Sequence, residues 1–312
     1  MTTRALIVGA GAMGQRHAAA IAAVGDAVSV VVDADIRRAE SLAPEAEVVG
    51  TLEEALQYRS LFDVGVIATP SVLHLEQSVA LVEMDVPVLV EKPHRIPGQN
   101  PDALRRALGT TLGTLFVGMS TRHWPAFEKL HEVISNGYLG EILTYRDRLG
   151  FRLPEAGLPD WYFDSASSGG GILVTNGVHA IDRLRALLGP MAVEETVLTS
   201  LFAKRSVDTY ASVYGRANNA TASIELIWSP FAPQSTGVLV TGTRGNALVR
   251  MDGSWTISAR DLSMQGSAVD LDTVPFQRQW KAFLERRPGF GFDDLEPTLE
   301  LIEQIYEGER HE

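Results

Sequence analysis

Three closely spaced glycines in Gly9-Ala10-Gly11-Ala12-Met13-Gly14 follow an apolar stretch at 5–8 and lead into a helical pattern over 12–24, which Gly25 is placed to end. So tight a turn between a buried strand and a helix narrows the choice of fold sharply. Glycine is required where the chain turns abruptly, where backbone must approach a ligand, or where a Cβ would hold the helix off its strand. A second apolar stretch at 27–32 completes a strand–helix–strand unit. The rhythm continues with a capping box at Thr51 and Glu54, a strand at 64–68, a helix at 71–84 and strands at 86–90 and 115–119. Strands that are apolar throughout and separated by helices imply a parallel sheet covered on both faces. Residues 1–121 are therefore expected to form a doubly wound α/β domain.

A chain of 312 residues is longer than one hydrophobic core normally organises, so residues 122–312 are expected to form a second domain. A helix at 125–135 stops near Gly137, and a glycine-led helix over 171–188 ends at Gly189-Pro190. β-type segments succeed it at 192–202, 209–215, 221–227, 237–241 and 247–251, separated by turn residues. This reads as an α+β domain with a large open, mainly antiparallel sheet. Helical spacing returns at 275–286 and 296–307, and the last helix is expected to pack back on the first domain. Residues 151–168 are the one long irregular stretch, and long ordered loops are often functional.

The formal net charge of −12 opposes a phosphate backbone as partner, because nucleic-acid binding needs a basic face. With no cysteine, disulfides, thiolate nucleophiles and cysteine-bound metal are excluded. The N-terminus passes straight into a strand without the pattern of a signal peptide, and no apolar run approaches the ~18–20 residues of a membrane span. A soluble, cytoplasmic protein is the expectation.

Gly9, Gly11 and Gly14, set between strand and helix, fit a diphosphate-binding turn in which the helix N-terminus favours the negative charge. Asp33 ends the second strand, nineteen residues after Gly14, where a carboxylate can accept both hydroxyls of an adenosine ribose. Its charge would repel a 2′-phosphate and so favours NAD, while Arg37 and Arg38 leave NADP open. Asp33 taken alone reads more readily as a turn or cap residue, and it is the glycine run, the strand–helix setting and the spacing together that favour the dinucleotide. Glu91-Lys92-Pro93 lies at the carboxyl edge of the predicted sheet, where ligands bind in such folds. An ammonium there can hydrogen-bond a substrate hydroxyl and stabilise a developing alkoxide, or it can simply be a solvated lysine at a strand end.

Taken together these motifs resemble the Gfo/Idh/MocA oxidoreductase family. The match runs from the glycine turn and His17 through Ala68-Thr69-Pro70 with His74, Glu91-Lys92-Pro93, Arg122, Pro125 and Trp161 to Gly169-Gly170-Gly171 with Gly177, His179 and Asp182. The resemblance implies a Rossmann domain joined to a sheet-based substrate domain. It also implies an activity: hydride transfer between NAD(P) and a secondary alcohol or ketone of a sugar, inositol or related polyol. No metal is needed where a nicotinamide accepts the electrons, so none is expected. Lys92 and His179 are then catalytic, with His179 as general base. Gly9, Gly11, Ala12, Met13, Gly14, Asp33, Thr69, Pro70, His74, Glu91 and Lys92 lie on the cofactor side, and Lys92, Arg122, Trp161, Tyr162, Asn176 and His179 on the substrate side.

Two departures from the family pattern stand out. Thr175, beside Asn176, occupies the place four residues before the histidine where the family usually has aspartate, so His179 gains only a neutral neighbour and should be the weaker base. Tyr162 follows Trp161 where many relatives have arginine. Trp124, Trp161, Tyr162, Phe163 and Trp228 can stack on a sugar ring or serve only as core. The family also contains glycosidases that use NAD without net redox, and the loss of the aspartate leaves open a non-catalytic sensor of sugar or NAD. The resemblance also implies that another subunit covers the open face of the sheet, so a homodimer or homotetramer is expected.

Overall fold

Six short strands pair in parallel to form the first sheet: β1 (Arg4–Val8), β2 (Ala27–Val32), β3 (Glu47–Val49), β4 (Val64–Ile67), β5 (Val88–Glu91) and β6 (Leu115–Gly118). The computed structural model describes residues 2–152, 160–200, 207–232, 237–260 and 262–309. Spatial order is β3-β2-β1-β4-β5-β6, so the direction of winding reverses between β1 and β4. That reversal opens a crevice at the carboxyl ends of the strands, the usual ligand position in a doubly wound sheet. β4 and β5 are buried along their whole length, as a sheet covered on both faces requires.

The helix Ala12–Ala23 turns Gly14, His17, Ala18, Ala20 and Ile21 inward, mostly small residues that bring it close to the sheet. The compact unit built on this sheet comprises residues 1–120 and 272–297. Its later segment supplies the helix Val274–Leu284, which buries Phe276, Trp280 and Phe283. Phe276 meets the His17 ring edge-on at 5.3 Å, and the Trp280 indole donates to Asp26 at 2.8 Å. A buried charge cluster completes the unit. Arg95 donates to Glu296 through Nε at 3.0 Å and Nη2 at 2.7 Å, and His94 Nε2 lies 2.8 Å from the same carboxylate.

The other unit, residues 121–271 and 298–312, holds an eight-stranded sheet. Its strands are β7 (Ile142–Arg152), β8 (Met191–Thr199), β9 (Tyr210–Ala217), β10 (Ala220–Ser229), β11 (Gly237–Gly242), β12 (Gly245–Arg250), β13 (Trp255–Ala259) and β14 (Leu262–Gly266). Their order is β14-β13-β12-β11-β7-β10-β9-β8. Among the described residues only the pairing of β7 with β10 is parallel. The mainly antiparallel sheet expected from the sequence is thus present, but it is not a simple meander. β7, absent from the sequence reading, separates β10 from β11, and β13 and β14 extend the far edge.

β7 escapes the sequence pattern because one of its inward positions is charged. Tyr145, Asp147 and Leu149 face the interior, and Asp147 accepts from Arg183 Nη2 at 2.6 Å. One face of the sheet is covered by the helix Val178–Leu188, which buries Val178, Ala180, Ile181 and Leu184. Part of the irregular stretch foreseen at 151–168, residues 153–159, lies outside the described residues, as do residues 201 and 202 of the segment foreseen at 192–202. Among the described residues no helix is long and apolar enough to cross a membrane.

Candidate active site

On the first unit the glycines of the turn have separable reasons. Gly9 has φ +100°, and a Cβ there would sit 2.7 Å from the Ala68 carbonyl group. A Cβ on Gly14 would collide with the Gly9 carbonyl oxygen, which keeps helix and strand in contact. A Cβ on Gly11 would meet nothing within 4 Å. Gly11 is also the N-cap of the helix Ala12–Ala23, with no side chain capping it and no acidic residue in the first turn. Uncapped amides facing open space at a helix start fit a diphosphate.

Asp33 stands beside this turn with its carboxylate already oriented. One oxygen accepts from Ala10 N at 2.8 Å and the other from Asp35 N at 2.9 Å, while Arg38 Nη1 lies 3.7 Å away. The acidic side chain therefore braces the glycine turn and remains able to accept further hydrogen bonds through its remaining lone pairs. Ala12 is exposed and Met13 half-buried at the mouth of the turn.

Two further turns at the same sheet edge are joined by one histidine. His74 is buried, with Nε2 2.8 Å from the Thr69 carbonyl and Nδ1 2.7 Å from the Pro93 carbonyl. It ties Ala68-Thr69-Pro70 to Glu91-Lys92-Pro93. Burial holds its pKa below that of a free imidazole, although two carbonyl partners favour the charged ring. Glu91 points inward, where Oε1 lies 2.8 Å from His17 Nε2 and Oε2 accepts from Lys92 N at 3.3 Å. Burial would raise the Glu91 pKa, but His17 and then Lys92 outweigh it and hold the carboxyl below its ordinary value. Lys92 is half-buried, and burial lowers the pKa of its ammonium against the pull of Glu91. Thr69 Oγ1 lies 2.6 Å from Gln77 Oε1, and Pro70 is half-exposed beside it.

On the second unit the glycine triplet is a rigid entry to a helix. Gly169 has φ +82° and ends the short helix Ser165–Ser168. A Cβ on Gly170 would strike the Tyr306 ring, and one on Gly171 would strike the Asp208 backbone. Asp208 caps the helical turn that starts at Gly171, accepting from Gly171 N at 2.8 Å, Leu173 N at 2.9 Å and the Tyr306 hydroxyl at 2.8 Å. Sequence reasoning missed this cap. Neither Asp208 nor Tyr306 lies near the triplet in the chain.

The segment Leu173–Gly177 then winds as a π-helix before the α-helix Val178–Leu188 begins, a distortion often found at functional sites. Thr175 donates its hydroxyl to the Gly171 carbonyl at 2.8 Å and is hydrogen-bonded to Tyr162. Burial raises the Tyr162 phenol above its ordinary pKa, while Thr175 pulls the other way. His179 Nδ1 lies 3.4 Å from Thr121 Oγ1. Arg122 grips Asp182 through two nitrogens, Nε at 2.7 Å and Nη2 closer still. Asp182 is fully buried, and burial raises its pKa against the pull of Arg122. Trp161, Tyr162, Phe163 and Trp228 form one aromatic cluster, with Tyr162 stacked on Trp228 at 5.4 Å. Trp124 is buried elsewhere in the unit, at the start of the helix Pro125–Ser135.

Comparison with known proteins bears on both units. Residues 3–118 match the model of the oxidoreductase family with an NAD-binding Rossmann fold, and residues 127–248 match the GFO/IDH/MocA C-terminal domain. D-xylose 1-dehydrogenase [NADP(+)] of Haloarcula marismortui is 25% identical over 260 residues, 78% of this chain and 71% of that protein. Inositol 2-dehydrogenase of Rhizobium meliloti is 28% identical over 212 residues, 66% of this chain and 61% of that protein. Among solved structures, a levoglucosan dehydrogenase in complex with NADH and levoglucosan superposes with a TM-score of 0.83 at 21% identity, covering 96% of this chain and 95% of that one. With one family domain matched on each unit, the chain belongs to the GFO/IDH/MocA family of oxidoreductases, with an NAD-binding Rossmann domain.

Proposed function

We propose that the chain is a dehydrogenase or reductase that interconverts a secondary alcohol and ketone on a sugar, inositol or related polyol, with NAD as its preferred carrier. The observation that carries this reading is Lys92. It follows the carboxyl end of β5, an interior strand of the first sheet, its ammonium pKa is lowered by burial, and its turn is braced by both His74 and Glu91. The names of the relatives, dehydrogenases of xylose and inositol, supply the substrate class.

Gly9, Gly11, Ala12, Met13, Gly14 and Asp33 would hold the dinucleotide, with Thr69, Pro70, His74 and Glu91 shaping the neighbouring edge. When bound, the nicotinamide supplies reversible hydride exchange, chemistry that no side chain offers. Lys92 donates to the reacting oxygen and stabilises its developing negative charge. His179 is the general base that takes the hydroxyl proton. Thr175, a neutral neighbour, leaves that base weaker than a carboxylate would. Arg122, Trp161, Tyr162 and Asn176 shape the substrate side, Arg122 while held by Asp182. The outer face of the eight-stranded sheet is the proposed contact between copies of the chain.

Thr175 is also the one observation that favours a second reading, a sensor that binds sugar and NAD without turnover. The protein is mixed with NAD and sugars or cyclitols, NADH is followed by absorbance, and the sugars are analysed by mass spectrometry. NADH formation supports the dehydrogenase. Cleaved sugar without NADH points to a glycosidase, and a thermal shift with neither product points to the sensor. Lys92→Ala should leave the NAD Kd within about threefold while kcat falls by roughly 10²–10⁴. Unchanged turnover would remove Lys92 from the mechanism.

A further inference from the structure

From Gly171 to Leu184 every residue is buried except Asn176 and His179. The two stand three positions apart, close to one turn, and so face the same way. A buried helix that exposes one amide and one imidazole on a common face has its polar chemistry concentrated there.

Asn176 is held in a single orientation. Its Oδ1 accepts the indole N–H of Trp228 at 2.9 Å, and Trp228, near the end of β10, is only 2% exposed. An indole nitrogen donates and cannot accept, so the group facing it has to be the amide oxygen. The Thr175 hydroxyl lies 3.3 Å from that same oxygen, although its proton goes to the Gly171 carbonyl. Nδ2 carries two N–H donors and meets no acceptor among the described residues. Turning the amide over would set N–H against N–H and leave a buried indole unsatisfied.

Trp228 is at the same time the hub of the aromatic cluster. Tyr162 stacks on it with an interplanar angle of 29°, Phe163 meets it edge-on at 5.9 Å, and Trp161 meets Tyr162 edge-on at 5.4 Å. Trp161, Tyr162 and Phe163 are each partly exposed. An aromatic surface suits the C–H face of a saturated ring, and a fixed donor beside it suits an oxygen lone pair.

We propose that Trp228 is a specificity-determining residue: it locks Asn176 as a donor only, and so selects a cyclic polyol that presents a hydrogen-bond acceptor at that point. The proposal deepens the sugar or polyol reading and rests on it. An unlocked asparagine could offer either its oxygen or its nitrogen and would discriminate less. Trp228 acts through Asn176 and need not touch the substrate.

The test uses the wild-type chain with NAD and then NADP, and four probes: myo-inositol, D-glucose, D-xylose and levoglucosan. Binding is read by calorimetry and turnover by absorbance. Asn176→Asp keeps an acceptor for the indole but replaces the donors with a second acceptor. Trp228→Phe keeps the stacked ring but removes the lock. Both variants are first matched to wild type in circular dichroism and NAD Kd. For the sugar that the wild type takes, Asn176→Asp should raise KM by at least ~10-fold, the loss of one good hydrogen bond, with kcat changed much less. Trp228→Phe should raise KM by roughly 3–10-fold, and the double variant should be no worse than Asn176→Asp alone, since the two act as one unit.

An unchanged KM in Asn176→Asp, or losses that add in the double variant, would overturn the proposal while wild-type turnover keeps the broader reading standing. If the wild type neither binds nor converts any of the four probes with either cofactor, the broader reading fails and the proposal falls with it.

Discussion

Asp33 shows how a side chain that braces the fold can, in the proposed function, also meet the ligand. Its carboxylate already accepts from the Ala10 and Asp35 amides, so it fixes the glycine turn before any cofactor arrives. In the proposed function the same charge would make the site costly for a 2′-phosphate, since like charges at a few ångströms repel. Asp33→Asn keeps one acceptor oxygen for Ala10 N and removes the charge. Its NAD Kd should rise by about 3–10-fold, and its preference for NAD over NADP should narrow by roughly 10-fold, one hydrogen bond and one repulsion respectively. Calorimetry with both cofactors reads this directly, and an unaltered preference would assign discrimination to Arg37 and Arg38 instead. At this scale the sequence is informative where spacing carries local geometry, as with Gly9 and Gly14 in the turn that Asp33 braces. It is silent where distant segments meet. Asp208 capping Gly171 from 37 residues away and Trp228 holding Asn176 from 52 away leave no local trace.

Elements were legible where the strand was mostly apolar, which is why β1, β2 and β4 could be read from residues alone. β7 could not, because its interior position Asp147 pairs with Arg183, and a charged residue inside a strand mimics a solvated face. The same logic governs the cluster of Arg95, His94 and Glu296. Burial would raise the Glu296 pKa, but hydrogen bonds from His94 and Arg95 prevail and lower it to about 2. A carboxylate held down in the folded state stabilises the fold at pH values above its unfolded pKa. That contribution, about 3 kcal/mol, is lost as pH falls from about 4.5 through about 2. Glu296→Gln removes the negative charge that faces Arg95, 2% exposed, and His94. The substitution should destabilise the fold by about 3–5 kcal/mol and flatten the acid limb of its stability profile. Denaturant melts of both proteins between pH 2 and 7 check both effects, and parallel acid limbs would show that the cluster does not govern acid sensitivity.

For the molecule as a whole, the second sheet poses the question of what its outer face is for. An antiparallel sheet can leave one face in water, provided that face is polar. Here it carries Arg146, Arg148 and Glu225, with Arg148 paired to Glu225 at 3.1 Å, but also Tyr214 at 40% exposure and the partly exposed Leu239. This mixture of apolar and charged side chains is the basis for proposing the face as a contact between copies, and an isologous contact would close with twofold symmetry. The net charge of −12 sets a general repulsion between copies, so a stable contact has to overcome it locally, and salt should strengthen association by screening. Sedimentation should give a mass at least twice the 33.9 kDa of the chain, and more completely at about 0.3 M salt than at about 0.03 M. Replacing Tyr214 and Leu239 together with glutamate should shift the protein to monomer with its NAD affinity unchanged, because both residues lie on the second sheet and the glycine turn belongs to the first. A monomer in the wild type at micromolar concentration would leave the outer face as simple surface.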